Sequence, residues 1–332
     1  HRGRSSCCPD APGAGAARTS YQATMSATAT ATAPHPDTLR RRKRSPSPNG
    51  VEDLNKKLQK HNWFKDIDHL ELNPLFLLEL PGVVLLSIYY RQHFSWSVMP
   101  HMFGVYMLKE IIGMSACLHR YFAHRGFTCN RFVQFLLYLG GSLASQGSPI
   151  WWASMHRRHH AACDTDDDPH SPVVKGFMMA WLGWVYVPGN EGALGAGTDR
   201  RLVRDLLAFP ELAIMENLHF GVVLGAHYAF YRYGGVQWAL FVSAWSSIIC
   251  QLATMYFNAA FHTPESEEGK FPGACQARDI PLDPLSNLMG EAYHRWHHQH
   301  PKAFQRPGLD LPYYLFILPM LKLGVFHGKN RL

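Results

Sequence analysis

The sequence predicts an all-α membrane protein: four transmembrane helices in two hairpins, with a helical cap on one side of the bilayer. Three observations predict it. Four apolar runs each approach the ~20 residues that a helix needs to cross a bilayer. The runs come in two close pairs. The basic residues outside the pairs fall on one side if each pair dips in and returns.

Residues 1–60 read as a separate region, a tail without a core of its own. The first fifty residues are rich in Ala, Ser, Thr, Pro and Arg and poor in acids. That composition suits a disordered tail or an organelle-targeting segment. The chain starts at His1, and Met25 is a candidate initiator. The run "RRRKR" at 40–44 holds much of the excess of 32 Lys+Arg over 25 Asp+Glu. No basic stripe continues beyond it, so it reads as a solvated charge run and not as a nucleic-acid site. Seven cysteines, an odd number without CxxC spacing, argue against a disulfide scaffold and for a reducing compartment.

Residues 61–332 read as one membrane domain. Its apolar runs are "NPLFLLELPGVVLLSIYY" (73–90), residues 95–120, residues 211–233 and residues 236–262. Short connections near 91–97 and 232–235 make two hairpins. Arg200, Arg201, Arg204, Arg278, Lys302 and Arg306 lie on one side of that arrangement. The positive-inside rule then puts both termini and the long middle loop in the cytosol. Two further apolar segments, 131–155 and 170–188, are interrupted or short. They are expected to lie at the interface or pack under the cap, with Trp151, Trp152, Trp181 and Trp184 as an interfacial belt. Lys109 and Glu110 interrupt the second run, and Glu216 and His219 fall in the third. Ionisable groups are costly in a bilayer and mark functional candidates, but the sequence assigns none of these four a role.

Histidine carries the chemistry. Of 332 residues 20 are His, and a given HxxHH box then arises by chance in roughly 0.07 of such chains. This chain has two, "HRRHH" (His156, His159, His160) and "HRWHH" (His294, His297, His298), besides "HRYFAH" (His119, His124). Residues i, i+3 and i+4 share a helix face, so each HxxHH is expected to offer three imidazoles to one point. His119 and His124 are about 140° apart on a regular helix; they serve different metals or straddle a helix end. Asn258 and His262 form an i/i+4 pair where the fourth run leaves the bilayer. The boxes therefore converge outside the membrane, on its cytosolic face. The boxes with His262 give nine imidazoles, which suit two ions with four or five ligands each. Imidazole fits zinc, copper, iron and nickel alike, and no HExxH of a zinc protease is present. The aspartates of "DTDDDPH" (164–170) either orient ligating histidines from behind or form a solvated acidic loop.

The order HX4H, HxxHH, NxxxH, HxxHH, carried by "HRYFAHRGF", "WWASMHRRHH…DPHSP" and "GEAYHRWHH", resembles the membrane fatty acyl desaturases, in particular the acyl-CoA Δ9, stearoyl-type branch. The likeness covers roughly residues 60–320. It implies an oxidoreductase that removes two hydrogens from a saturated acyl chain and reduces O2 to water. It implies two Fe ions held by His119, His124, His156, His159, His160, His262, His294, His297 and His298, with Asn258 holding one through water. It also implies a bent acyl tunnel lined by Gln146, Trp152 and Thr254. Gly147, Ser154 and Met255 replace polar residues that meet the CoA head group in the animal enzymes, so the substrate is an acyl-CoA or a lipid-linked acyl group. Met107 and Ile111 are expected to cap the tunnel. No cytochrome b5 module follows the last box, so electrons are expected from separate cytochrome b5 or ferredoxin. The expected address is the endoplasmic reticulum, with a plastid membrane as the alternative. A hydroxylase or alkane-type oxygenase uses similar boxes. A metal transporter would place its ligands near the bilayer midplane instead.

Overall fold

The computed structural model describes residues 79–184, 198–216, 218–263 and 275–330. The first six residues of the first apolar run, the "RRRKR" run and all of residues 1–60 lie outside them. The described part belongs to one compact unit, His61–Leu332.

The unit is almost entirely helical. Helix α1 (Glu79–Tyr89) is short and apolar. Helix α2 runs through Met99–Leu108 and continues as a wider-wound stretch, Lys109–Ala123. From Glu110 onward nearly every residue of α2 is buried, so it is the central post of the molecule. Helix α3 (Arg131–Ser142) begins where the Asn130 side chain accepts the Val133 N–H. Helix α4 (Pro149–Ala162) begins where the Ser148 hydroxyl accepts the Trp151 N–H, with Pro149 in the first turn. Both are standard ways of satisfying the orphan donors of a helix start.

Helix α5 (His219–Val236) and helix α6 (Gln237–Ala244 continued by Trp245–Phe261) follow. Together they are the 43-residue stretch His219–Phe261, which is long and apolar enough to cross a membrane. It is not a straight rod. Gly234 leaves helical geometry and Gly235 has φ +67°, a region only glycine enters freely. The chain doubles back there, and His227 Nδ1 comes within 2.8 Å of Ser243 Oγ. Among the described residues no other helix passes the same test of length and apolarity; α2 carries Lys109 and Glu110 midway. Helix α7 (His294–Gln299) and a C-terminal pair, Pro312–Ile317 and Leu318–Lys322, complete the unit. Strand β1 (Thr128–Cys129) pairs antiparallel with β2 (Phe326–His327), Thr128 opposite His327.

Two apolar clusters hold these elements. The smaller joins Val83 of α1, Val98 ahead of α2, and Leu240, Phe241 and Ile248 of α6. Gln251 of α6 also donates to Glu79 of α1 at 2.9 Å, and Trp245 Nε1 to Ser87 Oγ at 2.9 Å. The larger centres on Leu118, Phe122, Tyr138, Ile150 and Phe326 under the histidine boxes. Outside, α1, α2 and α5 expose Leu85, Ile88, Phe103, Leu108, Leu224 and Tyr228. So many exposed large apolar side chains exceed what a water-facing surface usually carries.

Two expectations are corrected. Trp151, Trp152 and Trp184 are buried, and Trp151 stacks on Trp184 with ring centroids 6.0 Å apart. They line a cavity rather than form an interfacial belt. Arg306 is also buried. It answers a buried carboxylate, so it does not report on sidedness.

Candidate metal centre

The winding at the end of α2 brings His119 and the capping His124 together. His124 N–H donates to the carbonyl of His119, five residues back, at 3.2 Å. An i→i+5 pattern widens the turn and moves residue i+5 back over residue i. The regular-helix separation of about 140° therefore does not apply, and the two rings lie 5.0 Å apart. Arg157 fixes this end of α2 against α4. Its guanidinium donates to the carbonyls of Phe122 and Ala123, both at 2.7 Å, and pairs with Asp205.

The boxes divide between two clusters. The first contains His119 and His124 of α2, His156 and His160 of α4, and His297 of α7, with ligand nitrogens all within 4.8 Å of one another. The second contains His159 of α4, His262 at the end of α6, and His298 of α7. His294 joins it, its Nε2 lying 3.0 Å from His262 Nε2 and 3.2 Å from His298 Nε2. This corrects the expectation that each HxxHH offers three imidazoles to one point. On a regular helix i+3 and i+4 diverge by about 100° around the axis. So the i/i+4 pairs His156/His160 and His294/His298 each stay together, while His159 and His297 turn to the other cluster.

Carboxylates hold the outer nitrogens. His119 Nδ1 lies 3.2 Å from Glu291 Oε1, His159 Nδ1 2.9 Å from Asp168 Oδ2, and His262 Nδ1 2.9 Å from Asp164 Oδ2. An ionised carboxylate only accepts, so each Nδ1 carries the proton and each Nε2 keeps a lone pair. The inner Nε2 atoms converge on one another: His119 on His297 at 3.0 Å, His262 on His294 at 3.0 Å, His124 on His156 at 2.9 Å and His160 on His297 at 3.0 Å. His159 Nε2, fully buried, has no hydrogen-bond partner among the described residues. Converging lone pairs that cannot all be paired by protons are what a metal cation satisfies, and nitrogen donors at this density suit one. The residues therefore fit a metal.

The electrostatics agree. Burial would raise the Glu291 pKa, but the guanidinium of Arg306, with His119 and Arg120, brings it down to about 2. Asp168 is held well below the usual carboxylate range: His159 and the hydrogen bonds it accepts outweigh burial. The imidazoles of His124, His156, His160, His294, His297 and His298 are all depressed, first by burial and then by competition with neighbouring imidazoles for protons, with Arg306 adding to it for His124, His160 and His297. They stay neutral, the form that ligates.

Beside the clusters lies a cavity lined by Gln146, Trp152, His156, Thr254, Met255 and Asn258. Trp152 Nε1 donates to Gln146 Oε1 at 3.3 Å, and Gln146 Nε2 donates to Thr254 Oγ1 at 2.6 Å. Thr254 also borders a second cavity lined by Tyr106, Glu110, Met114, Ser115 and Phe257. Met107 and Ile111 are not among the residues lining these two cavities. Of the other unassigned groups, Lys109 donates to Ser247 Oγ at 2.5 Å, Glu216 accepts from Ser148 and Thr198, and His219 Nδ1 meets the Glu216 carbonyl at 2.7 Å.

Sequence reasoning missed several groups. Glu291 stood inside "GEAYHRWHH", but its partner His119 is 172 residues away. Arg120 and Asp310 form a buried ion pair at 2.7 Å beneath it. His170 stacks on His159, ring centroids 4.6 Å apart. Cys163 and Cys275 form a disulfide across 112 residues, although the cysteine spacing argued for free thiols. The loops after α4 and before α7 meet at the second cluster and bring them together. Cys163 Sγ lies 3.7 Å from His262 Nδ1 and Cys275 Sγ 3.5 Å from His298 Nδ1.

Comparison with known proteins decides the family. Residues 94–316 match the model of the fatty acid desaturase family. The chain belongs to that family. It is 36% identical over 145 residues to the Arabidopsis thaliana palmitoyl-monogalactosyldiacylglycerol delta-7 desaturase, chloroplastic, covering 41% of this chain and 39% of the relative. It is 28% identical over 295 residues to a probable acyl-CoA desaturase of Schizosaccharomyces pombe, 83% of this chain and 58% of that one. A Nostoc sn-2 palmitoyl-lipid 9-desaturase is 26% identical over 236 residues, 69% of this chain and 78% of that one. In the first two of these desaturases the chain spans about half of the relative's length.

Proposed function

We propose that this chain is an O2-dependent fatty acyl desaturase that introduces a cis double bond, at Δ9, into a saturated acyl chain. The observation that carries the reading is the pair of imidazole clusters set against a cavity walled by Trp152, Gln146 and Thr254. Two Fe ions are the proposed metals. His119, His124, His156, His160 and His297 would hold one. His159, His262, His294 and His298 would hold the other, with Asn258 through water. When bound, they supply the activation of O2 that draws two hydrogens from the chain. Two electrons and two protons balance the reaction, giving two waters. The electrons come from a separate protein, cytochrome b5 or a ferredoxin.

The chain's own residues do the rest. Glu291, Asp168 and Asp164 fix ring orientation and tautomer from behind. Hydrogen bonding locks Trp152, Gln146 and Thr254 into one bent wall, which would choose the pair of carbons presented. Burial of these groups excludes water. Ser154 is fully buried and Met255 nearly so, so neither position offers a polar surface to a CoA head group. A lipid-linked acyl group stands beside acyl-CoA as the donor.

The exposed apolar side chains of α1, α2 and α5 support a four-span, two-hairpin topology in the bilayer. The two histidine clusters would then face the cytosol. The proposed address is the endoplasmic reticulum, with a plastid membrane as the alternative.

Expression in a desaturase-deficient host, with mass spectrometry of total fatty acids, tests the reading. A product two mass units lighter than its precursor is expected. A product sixteen units heavier would make the chain a hydroxylase. Metal flux with no acyl product would make it a transporter.

A further inference from the structure

Of the four ionisable groups that interrupt the apolar runs, Glu110 lines a cavity beside the proposed acyl site. It sits on the wide-wound part of α2 and is 6% exposed. Its carboxyl lies beside the side chains of Cys250 and Thr254, yet Oε1 has no hydrogen-bond partner among the described residues. It lines the second cavity, with Tyr106 and Met114 one turn to either side and Ser115 and Phe257 near by. That cavity measures about 50 Å³, several times the ~10–15 Å³ that one water requires. Thr254 is shared with the cavity beside His156, so Glu110 stands at the far side of the bent wall. The wall's hydrogen-bond series runs Trp152 to Gln146 to Thr254 and ends on the Cys250 carbonyl, to which Thr254 Oγ1 donates at 2.9 Å.

We infer that Glu110 is a specificity-determining residue: it meets the acyl chain beyond the bend and selects for polarity there. The inference rests on the desaturase reading. An apolar methyl end pushed against a buried carboxyl oxygen leaves that oxygen without a partner, which is unfavourable. A chain that stops short of Glu110 avoids the penalty. A chain carrying a hydroxyl at its far end satisfies the oxygen directly. The favoured substrates are therefore plain chains too short to reach Glu110 and longer chains with a terminal hydroxyl. A site that hydrogen-bonds a substrate hydroxyl discriminates against the analogue lacking it because its own polar group goes unpaired.

The test uses the full chain in the desaturase-deficient host, fed a ladder of saturated fatty acids and their ω-hydroxy counterparts. Wild type is expected to desaturate the shorter plain acids. At the first plain length it refuses, it is expected to favour the ω-hydroxy acid by about 5- to 150-fold. That arm needs no mutation. Glu110→Gln, which keeps a polar oxygen of the same size, should retain both preferences. Glu110→Leu, of similar size but apolar, should lose the hydroxyl preference and accept the longer plain chain. Membrane-inserted protein is quantified for each variant, so that product is read per molecule. Equal use of plain and hydroxylated chains by wild type would overturn the inference. So would Gln and Leu variants with matching profiles, because size and not polarity would then set the limit. Absence of unsaturated product from every acid with wild type would instead sink the desaturase reading.

Discussion

Asp168 offers the sharpest test of the metal centre. Its side chain is fully buried and receives three donors. His159 Nδ1–H and the Asp164 N–H reach Oδ2 at 2.9 and 2.8 Å, and the His170 N–H reaches Oδ1 at 3.1 Å. In Asp168→Asn the amide oxygen can replace Oδ2 and keep the first two. The new NH2 then faces the His170 N–H, donor against donor, and the negative charge behind His159 is lost. Loss of such a partner behind a ligating histidine typically costs 10–100-fold in metal affinity, or about 1.4–2.8 kcal/mol. Asp168→Ala is harsher. It strands three buried donors at about 1–3 kcal/mol each, together about 3–9 kcal/mol. That rivals the about 5–15 kcal/mol that holds a typical domain folded. The assay is iron content of detergent-purified protein along a chelator titration, with product formed in parallel. Asn is expected to insert and fold but release iron at lower chelator concentration; Ala is expected not to accumulate. An Asn variant that holds iron as tightly as wild type would refute the proposed role of Asp168 behind His159.

Further outcomes follow from the same geometry. His297→Ala and His159→Ala remove ligands from different clusters, so each should abolish product while retaining about half of the iron, measured by elemental analysis; normal activity in either would remove that residue from the ligand set. Gly290 has φ +68°, and an added Cβ would lie 2.7 Å from Asp310 and 2.8 Å from Arg120, so Gly290→Ala should lower the melting temperature by displacing the pair beneath Glu291. The depressed imidazoles stay neutral in the folded state but bind protons near pH 6.5 when unfolded. Iron-free protein should therefore lose stability as pH falls below about 6.5, by up to about 1.4 kcal/mol per pH unit for each such histidine, read from thermal unfolding across pH. Cys275→Ser opens a 112-residue crosslink, worth up to about 4–5 kcal/mol on chain-entropy grounds; a lower unfolding temperature is expected, and peptide mapping without reductant should find the 163–275 crosslink in wild type alone.

The sequence by itself determined the helical class, the reversal near residues 232–235, and the residue types that could ligate. Those depend on local facts: runs of apolar side chains, a glycine pair, and histidines at helical spacing. Legible too was the use of acids in "DTDDDPH" as supports, although only the structure chose between that and a solvated loop. It gave Asp164 to His262 and Asp168 to His159.

Tertiary structure alone decided how the histidines divide. Spacing puts His156, His159 and His160 on one face, but a face about 100° wide can address two points. Which ring goes where depends on which rings α2, α6 and α7 bring to each side of α4. Likewise, a stretch of i→i+5 winding joined His119 to His124, and no spacing rule announces that. Glu291, Arg306 and the Cys163–Cys275 bond stayed hidden because their partners lie more than a hundred residues away or meet only through folded loops. Tryptophan was misplaced for a related reason. An amphipathic ring suits an interface and a cavity wall equally, and only packing against His156 and Trp184 chose the wall. Local chemistry fixes what each side chain can do, whereas long-range packing fixes which neighbour it does it to.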